Sequence, residues 1–439
     1  MLSKLTLENT GPVEAPVLAF GRRLNVFTGD NGLGKTFLLD AAWYALTRKW
    51  PGDVNPAVLS GRTARPTDPA KPARIVFSLL TSAGKTVEDY VATFDRVEQT
   101  WTGRVGRPYS AGLVVYAHAD GGFSVWDQAR NYWRKKGSVD VQDRPSAFVF
   151  APGDVWNGLS SGDKVLCNGL LRDWILWQLD KDGKEFPILS EVLSGVSPPE
   201  FAIEPGPPMR ISIDDIRDVP SIKMPYGTVP LPHVSAGIRR IAALAYILVW
   251  AFSEHIKASG VLGQAPSSQI TLLFDEVEAH LHPKWQRVFL GGLMKAIRGM
   301  QTDRRWFVES NSPSVQLLVA THSPLFMASL EDVFDPGTDR WFDLDYEPGT
   351  GKALLEVRPF VPQGTADSWL VGEAFDLSSS RSVGTEKLLE RAAAMQESPD
   401  ATPDGIRSMY RELREKLPPF DAEPDRFRAL AEAKGVSVE

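Results

Sequence analysis

A glycine-rich segment, GDNGLGKT at residues 29–36, constrains the fold of this chain more than any other feature. It follows the apolar run 24–27 and precedes the helix-like sequence FLLDAAWYALTRKW. The pattern G-x-x-x-x-G-K-[ST] between a strand and a helix is typical of a P-loop, whose backbone N–H groups surround phosphate oxygens. A side chain at the glycine positions would obstruct that turn. The segment therefore predicts a nucleotide-binding α/β fold.

The residues of this segment have distinct expected roles. Lys35 is expected to reach the β- and γ-phosphates and Thr36 to bind Mg²⁺. The helix that begins there adds its positive dipole end. A chance glycine-rich turn is the alternative, which the strand and helix context disfavours. The predicted nucleotide-binding residues of the segment are Gly29, Asp30, Asn31, Gly32, Leu33, Gly34, Lys35, Thr36 and Phe37.

A second motif, ITLLFDE at residues 270–276, is an apolar strand that ends in Asp275 and Glu276. The carboxyl ends of strands in an open α/β sheet are where ligands bind. Asp275 is expected to hold Mg²⁺, and Glu276 to orient or deprotonate the attacking water. Alone, the motif would be better interpreted as a solvated acidic turn. Beside a P-loop it favours nucleotide hydrolysis.

Two segments place Ser-x-Gly before an apolar stretch, LSSGDK at 159–164 and VSAGIRR at 234–240. A serine and free N–H groups at a helix start suit an anion. The second segment leaves room for one helix and a loop before Asp275, whereas the first is much farther away. We therefore predict that Ser235, Ala236 and Gly237 contact nucleotide, and that Ser160 is the N-cap of a helix of about five turns over 163–182.

Hydrophobic periodicity predicts the remaining elements. Alternating apolar and polar residues over about 74–127 predict an antiparallel β-subdomain. The Pro- and Gly-rich residues 195–233 predict an ordered loop. From 235 onward, alternating helix and strand patterns predict a mainly parallel sheet. A hairpin and a charged helical tail follow. The predicted parts are an N-terminal lobe (1–155), a helical and loop insertion (156–233), a second lobe (234–360) and a helical C-terminal extension (361–439).

Charge and cysteine content narrow the setting of the chain. With 48 Lys+Arg and 55 Asp+Glu the net charge is −7, so any contact with DNA must come from a local patch. NYWRKKG at 131–137 offers Arg134, Lys135 and Lys136 beside aromatic residues; an ordinary charged turn is the alternative. The single Cys167 and the lack of a signal segment predict a cytoplasmic protein. The apolar stretch 241–252 is too short to cross a bilayer and predicts a buried helix, with no membrane partner.

The combination of GDNGLGKT, SAGIRR, LLFDEVEAHLHPKWQ and LLVATHSP resembles the ABC-type ATPase heads of the SMC and break-repair group. It is most similar to bacterial stand-alone anti-phage ATPases, among them the overcoming-lysogenization-defect, Septu-like and retron-linked proteins. The motifs span roughly residues 1–330. The resemblance implies an α/β P-loop NTPase of ABC type, with a mainly parallel sheet, an antiparallel β-subdomain and a helical C-terminal extension.

The same resemblance implies a head-to-tail homodimer that sandwiches two ATP molecules with Mg²⁺. Each ATP would touch the P-loop of one chain and Ser235 and Gly237 of the other. EAHLHP would be the D-loop region that crosses the interface. His322 would be the switch histidine near the γ-phosphate, so that Lys35, Glu276 and His322 form the catalytic set.

The chain departs from this family in several places. Val277 stands where the defence ATPases usually carry proline. No long heptad run separates the P-loop from Ser235, so SMC-like arms and long-distance chromosome tethering are not expected. The Q-loop glutamine is not obvious, since Asp154 lies nearby and Gln142 precedes the strand.

A Toprim nuclease domain, which overcoming-lysogenization proteins carry, is not expected here. FDLDYE contains Asp343 and Asp345, which would lie on one face of a hairpin strand, and a solvated strand face is the favoured interpretation. A zinc site of His280, His282 and His322 is disfavoured, because an i, i+2 pair on a loop is not a helix-face spacing.

The function that the sequence favours is an ATP-hydrolysing dimeric switch. It would license a co-encoded effector, a nuclease or toxin in anti-phage defence. The alternative is a self-sufficient DNA-processing ATPase with its own nuclease centre in residues 330–439. The inserted β-subdomain and EAHLHP disfavour a transporter motor. The intact Lys35, Asp275 and Glu276 disfavour a binding module without ATPase activity.

Overall fold

The computed structural model describes the chain except for residues 82–84, 86–88, 104–110, 132–144, 304–313, 348, 376, 399–400 and 439. Two units are distinguished, Met1–Trp369 and Leu370–Glu439. The strands are β1 Leu2–Glu8, β2 Val17–Ala19, β3 Leu24–Gly29, β4 Arg74–Leu79, β5 Tyr90–Asp95, β6 Thr100–Gly103, β7 Leu113–Ala117, β8 Phe123–Asp127, β9 Phe148–Phe150, β10 Leu159–Ser161, β11 Lys164–Cys167, β12 Glu204–Pro205, β13 Met209–Arg210, β14 Asp218–Val219, β15 Ser221–Met224, β16 Gly227–Pro230, β17 Gln269–Asp275, β18 Ser314–Ala320, β19 Arg340–Glu347 and β20 Lys352–Arg358. The helices are α1 Lys35–Thr47, α2 Pro51–Val54, α3 Pro152–Asn157, α4 Leu170–Leu179, α5 Glu185–Gly195, α6 Ala236–Val261, α7 Pro283–Thr302, α8 Pro324–Ser329, α9 Ala366–Val371, α10 Val383–Glu397, α11 Pro403–Lys416 and α12 Glu423–Ala433.

The main sheet of the first unit has eight strands in the order β20-β19-β3-β18-β17-β7-β8-β9. Its five central strands, β19, β3, β18, β17 and β7, run parallel, and the outer strands are antiparallel. Strands β3, β7 and β17 are buried along their whole length, as expected for parallel strands covered on both faces. The predicted α/β fold with a mainly parallel sheet is confirmed.

This sheet draws strands from both predicted lobes. Strands β3, β7, β8 and β9 come from residues 1–155, and β17–β20 come from residues 234–360. The two segments therefore share one sheet, whereas their division into lobes remains a prediction.

A second, antiparallel sheet has the order β2-β1-β4-β5-β6. It confirms the predicted antiparallel region but not its bounds of 74–127, because β7 and β8 belong to the main sheet. The reason lies in the pattern: β7, LVVYA, is an uninterrupted apolar run with every residue buried, whereas β5 alternates between buried and partly exposed residues. Helix α1 contacts strands of both sheets, so the P-loop helix lies between them.

The segment around Ser160 differs from its prediction. Residues 159–167 form the hairpin β10–β11, in which Ser160 pairs with Val165, and the helix begins only at Leu170. Gly162 at the turn has φ of 56°, which favours a tight hairpin turn over a helix start. Ser160 is therefore a strand residue and not an N-cap, and this segment is not a competing signature loop.

The predicted loop over 195–233 contains two small antiparallel sheets, β12-β15-β16 and β13-β14. The next helix, α6, is long and apolar enough to cross a membrane by length and composition, with a mean hydropathy of 1.4. However, 78% of its apolar window is buried, and it packs against β7, β8 and helices α3, α4 and α5. The predicted buried helix is confirmed.

The second unit is built from α10, α11 and α12. Its core contains Leu388 from α10, Ile406, Met409 and Leu413 from α11, and Phe427 from α12. These helices lie within the charged helical tail that the sequence predicts.

Candidate functional site

Three parallel strands bring the predicted motifs to one edge of the main sheet. The P-loop follows β3, Asp275 ends β17, and His322 comes just after β18. Because β18 lies between β3 and β17, His322 is placed between the P-loop and the acidic pair. The carboxyl edge of the sheet thus forms a site from residues that are distant in sequence.

Two positions of the P-loop require glycine because of both backbone conformation and close neighbours. Gly34, which precedes α1, has φ of 100°, and a Cβ atom there would lie 2.5 Å from Cγ of Pro12. Gly29 has φ of 121°, and a Cβ atom would lie 2.0 Å from the carbonyl oxygen of Leu344 on β19. Both are backbone conformations that other residues rarely adopt. The loop is therefore fixed closely against its neighbours.

Lys35 lies folded back over the P-loop. Its Nζ donates to the carbonyl oxygens of Gly29 at 2.7 Å and Asp30 at 2.8 Å. Burial lowers the pKa of Lys35 to about 8, although Glu276 and Asp275 nearby act in the opposite direction. A phosphate group bound in the loop would place negative charge beside this ammonium group and so favour its charged form.

Asp275 and Thr36 have the chemistry of a Mg²⁺ site. Asp275 is fully buried, and neither of its carboxylate oxygens has a hydrogen-bond partner among the described residues. Burial raises the pKa of Asp275 to about 6, and the nearby Thr36 hydroxyl lowers it in part without completing a hydrogen bond of ordinary geometry. Unpaired carboxylate oxygens beside a hydroxyl are hard oxygen ligands, so these residues fit Mg²⁺.

We predict that Asp275→Asn stabilises the Mg²⁺-free protein at pH 8 by about 2 kcal/mol, since burying an unpaired carboxylate is costly. The folded pKa of Asp275, about 6, lies above its unfolded value of 3.8, so the wild-type chain loses stability as pH rises between these values. The gain from Asn should therefore disappear below about pH 4. Urea unfolding with a chelator measures it. Asp345→Asn, at an exposed position of β19, is the control; an equal effect of both substitutions would contradict the prediction.

Glu276 and His322 form a direct pair. Nε2 of His322 and Oε1 of Glu276 lie 3.0 Å apart, and both side chains are partly exposed. The hydrogen bond from His322 lowers the pKa of Glu276 below its ordinary value. Glu276 also has a positive φ of 48°, an uncommon conformation for a residue with a side chain. The carboxylate is thus ionised at neutral pH and held at the mouth of the site.

Glu278, which no sequence motif singled out, joins the acidic turn to the histidine loop. It is buried, and its Oε1 accepts a hydrogen bond from the hydroxyl of Thr321. The backbone N–H of His322 also lowers the pKa of Glu278, but burial has the larger effect and leaves it raised. Glu278 and Thr321 are 43 positions apart in sequence. The only sequence signal for their contact was that the LLFDEVE and LLVATHS motifs follow one another along the chain.

We predict that Glu278→Gln changes kcat for ATP hydrolysis by less than about threefold, whereas Glu278→Ala lowers it by about tenfold with little change in KM. Glutamine retains a buried acceptor for Thr321, and alanine removes both the acceptor and its volume. Steady-state kinetics of both variants measure the effect. A change in KM without a change in kcat would show that Glu278 does not position His322.

Arg240, near the start of α6, donates hydrogen bonds to several backbone carbonyl groups. Its guanidinium donates to the carbonyl oxygens of Ala119 at 2.8 Å, Glu276 at 3.1 Å and Asp275 at 3.3 Å. Burial lowers the pKa of Arg240. It therefore ties the first turns of α6 to the acidic turn of its own chain. Arg239 is exposed and donates to the carbonyl oxygen of Pro232.

A cavity of about 540 Å³ lies over the P-loop. Its wall includes Glu276, His322 and the segment 59–65, in which Arg62 is exposed. Asp40 of α1 holds this segment, because its carboxylate accepts from the N–H of Gly61 at 3.1 Å and from the hydroxyl of Tyr116 at 2.9 Å. Burial raises the pKa of Asp40 to about 7. The P-loop residues that line the cavity are Asn31, Gly32, Gly34, Lys35, Thr36 and Phe37.

The other P-loop residues of the prediction contribute differently. Leu33 packs against the hydrophobic core and does not line this cavity. Gly29 and Asp30 supply carbonyl oxygens to Lys35. No sequence motif singled out Arg62; a basic residue in the Gly- and Pro-rich segment 51–73 was the available signal.

The signature segment begins α6 as predicted. Ser235 is the N-cap, and its hydroxyl accepts from the N–H of Ile238 at 3.4 Å. Ser235 and Ala236 are exposed, whereas Gly237 is buried, and a Cβ atom there would lie 2.8 Å from the carbonyl oxygen of His280. None of the three residues lines the cavity over the P-loop of the same chain.

Several residues singled out by the sequence do not converge. His282 caps α7 by accepting from the N–H of Lys284, and His322 pairs with Glu276. Among the described residues, no group of three His, Cys, Asp or Glu side chains could hold a metal ion. Asp154 accepts from the N–H of Ala151 and so stabilises the start of α3. Arg134, Lys135, Lys136 and Gln142 lie outside the described residues.

Asp343 differs from the predicted solvated face. It is buried, accepts from the hydroxyl of Thr28 at 2.6 Å and lies 3.4 Å from Nε of Arg358, whereas Asp345 is exposed. The correction follows from the position of β19 beside β3, which covers one end of the strand. Asp343 is engaged within the fold, and nothing in the described residues supports a nuclease centre there.

Two family models match parts of the chain. Residues 226–328 match a family described as "AAA domain, putative AbiEii toxin, Type IV TA system", and residues 4–87 match one described as "AAA domain". The first match covers the signature segment, the acidic pair and His322, and the second covers the P-loop. The matches indicate an ATPase at the superfamily level.

Solved structures give a more distant likeness. The SMC head domain from Thermotoga maritima is 15% identical, with 82% of this chain and 99% of that chain covered and a TM-score of 0.38. The Smc head bound to the C-terminal domain of ScpA from Pyrococcus furiosus is 13% identical, with 81% and 96% covered and a TM-score of 0.39. RecF in its nucleotide complex is 12% identical, with 78% and 95% covered and a TM-score of 0.37.

Proposed function

We propose that the chain is an ABC-type ATPase that dimerises head to tail on ATP and uses hydrolysis to control a partner effector. One observation carries the proposal: Ser235 and Ala236 are exposed at the start of α6, and neither they nor Gly237 line the cavity that is bordered by the P-loop, Glu276 and His322. A second chain would bring its Ser235, Ala236 and Gly237 to a triphosphate bound in that cavity. The active site would then be complete only in the dimer.

Within each site the residues of one chain would have separate tasks. Lys35 would leave the carbonyl oxygens that it now contacts and pair with the β- and γ-phosphates. Mg²⁺, held by Thr36 and Asp275, would neutralise charge on the phosphate oxygens. Arg62, which lines the same cavity, offers a further positive charge.

Glu276 would act on the attacking water. Its pKa is below the ordinary value, so it is ionised and able to orient the water and accept its proton. His322 lies against the same carboxylate and would sense the γ-phosphate beside it. Loss of that phosphate changes the contacts of Lys35, Glu276 and His322 together, which gives ATP and ADP different affinities for the joined state.

Two observations support an effector as the partner of the ATPase. The motifs resemble stand-alone anti-phage ATPases, and the family matched at residues 226–328 carries a toxin of a type IV toxin–antitoxin system in its description. We propose that the ATP-bound dimer holds a co-encoded nuclease or toxin in one activity state and that hydrolysis changes it. We propose anti-phage defence in the cytoplasm as the functional setting.

Co-expression with the product of an adjacent gene tests this function. We expect effector activity, measured as growth arrest or DNA cleavage, to differ between the wild-type chain, Glu276→Gln and Lys35→Ala. The reason is that Glu276→Gln should favour the joined state and Lys35→Ala the separated state. Asp345→Asn is the matched control for a carboxylate change outside the site. Equal effector activity with all four chains would refute control by ATP.

A further inference from the structure

Helix α11 of the second unit has two chemically different sides. Ile406, Met409 and Leu413 are buried in the core of the unit. Arg407, Arg411 and Arg414 follow at spacings of four and three residues, which places them along one other side of the helix. Three arginines on one stripe stand out in a chain whose net charge is −7.

Two of these arginines lack acidic partners. Among the described arginines of the second unit, Arg381, Arg391, Arg407, Arg426 and Arg428 form ion pairs, whereas Arg411 and Arg414 form neither an ion pair nor a hydrogen bond. Both are exposed. Their positive charge is therefore available to an anionic ligand.

The stripe borders a groove of about 700 Å³, which is lined by Arg407, Tyr410, Arg411, Arg414, Glu415 and Val438. Tyr410 is half-buried and packs against the core, so its ring has little freedom. Its hydroxyl has no hydrogen bond among the described residues. The groove thus combines guanidinium groups, a fixed aromatic ring and one carboxylate.

We propose that this groove binds single-stranded nucleic acid. Arginines pair with phosphates, and a fixed aromatic ring stacks an unpaired base. Glu415 favours nucleic acid over an acidic peptide, because a base amino group can donate a hydrogen bond to its carboxylate and an ionised acidic side chain cannot. A base in a duplex is already stacked on its neighbours, so it is not free to stack on Tyr410.

The size of the site sets the expected strength. Arg407 and Arg414 are about 10 Å apart along the helix axis at 1.5 Å per residue, which suits two or three phosphates. For single strands the slope of log K against log salt is about −0.7 per phosphate, so the site predicts about −2. Binding should therefore be weak and restricted to low salt, since the rest of the chain is acidic.

The test uses the full chain and fluorescence anisotropy with a labelled single-stranded DNA of 12 nucleotides or so. Arg411→Glu/Arg414→Glu should weaken binding at least tenfold and reduce the salt slope by about 1.4, the contribution of two phosphates. Lys387→Glu/Arg428→Glu makes the same charge change on α10 and α12, at residues that do not line the groove, and should alter affinity less than threefold. Tyr410→Leu should weaken binding about tenfold without changing the salt slope, because stacking releases no counterions.

Three results would overturn the proposal: no binding by the wild-type chain at low salt, equal losses in the two double variants, or competition by polyglutamate as strong as by unlabelled single-stranded DNA. The last result would identify an acidic protein segment as the ligand. A matched duplex that binds more tightly would exclude the role of Tyr410. ATP turnover of these variants should equal that of the wild-type chain, so this inference fails or stands separately from the proposed ATPase function.

Discussion

Glu276→Gln is expected to reduce kcat for ATP hydrolysis by about 10²–10³-fold, because glutamine cannot accept a proton from the attacking water. The substitution keeps the volume of the side chain and its reach to His322, which is 3.0 Å from the carboxylate. Binding of ATP should be unchanged, since Lys35 and the P-loop are intact. Phosphate release measures the rate, and nucleotide titration measures the affinity.

The matched control for this prediction is Asp345→Asn. It also removes one carboxylate at the end of the main sheet, but from an exposed position outside the cavity. Its kcat should stay within about twofold of the wild-type value. A Glu276→Gln chain that retains a tenth or more of the wild-type rate would show that another residue activates the water.

Ala236→Glu is expected to abolish ATP-dependent dimerisation and to lower turnover by more than about 100-fold. Ala236 is exposed in the first turn of α6, where a carboxylate interacts favourably with the helix dipole, so the fold should tolerate the change. In the dimer the same carboxylate would face the triphosphate of the other chain, and like charges at short distance in a poorly solvated site repel strongly.

The neutral counterpart, Ala236→Gln, adds nearly the same volume without the charge. It should retain most of the turnover and all of the dimerisation. Monomer affinity for ATP should be the same in both variants, because residue 236 does not line the cavity of its own chain. If Ala236→Glu hydrolyses ATP normally, the signature segment has no role in trans.

The local motifs of the site were predictable because each depends on a short run of sequence. The P-loop needs its glycines for backbone conformation, β17 is mostly apolar before Asp275, and α6 is apolar over residues 241–252. Consecutive residues therefore carried enough information to locate Lys35, Asp275 and Ser235 on their elements.

The errors arose where tertiary contacts override local pattern. Strand β7 was assigned to the antiparallel region because turn residues flank it, yet its buried apolar run pairs in parallel with β17. Asp343 is buried because β3 lies beside it, and Ser160 lies in a hairpin that a helix-like composition concealed. Glu278 and Arg62 are brought to the site by tertiary contacts, which no short segment of sequence encodes.

The central claim, that two chains complete each site, is tested most directly by the mass of Glu276→Gln in sedimentation with ATP and Mg²⁺. The chain has a mass of 48.4 kDa. The account predicts a species of twice that mass with ATP, a monomer with ADP, and a monomer with ATP once Ala236→Glu is added to Glu276→Gln. A Glu276→Gln chain that stays at 48.4 kDa with saturating ATP, or a double variant that still dimerises, would contradict the composite site.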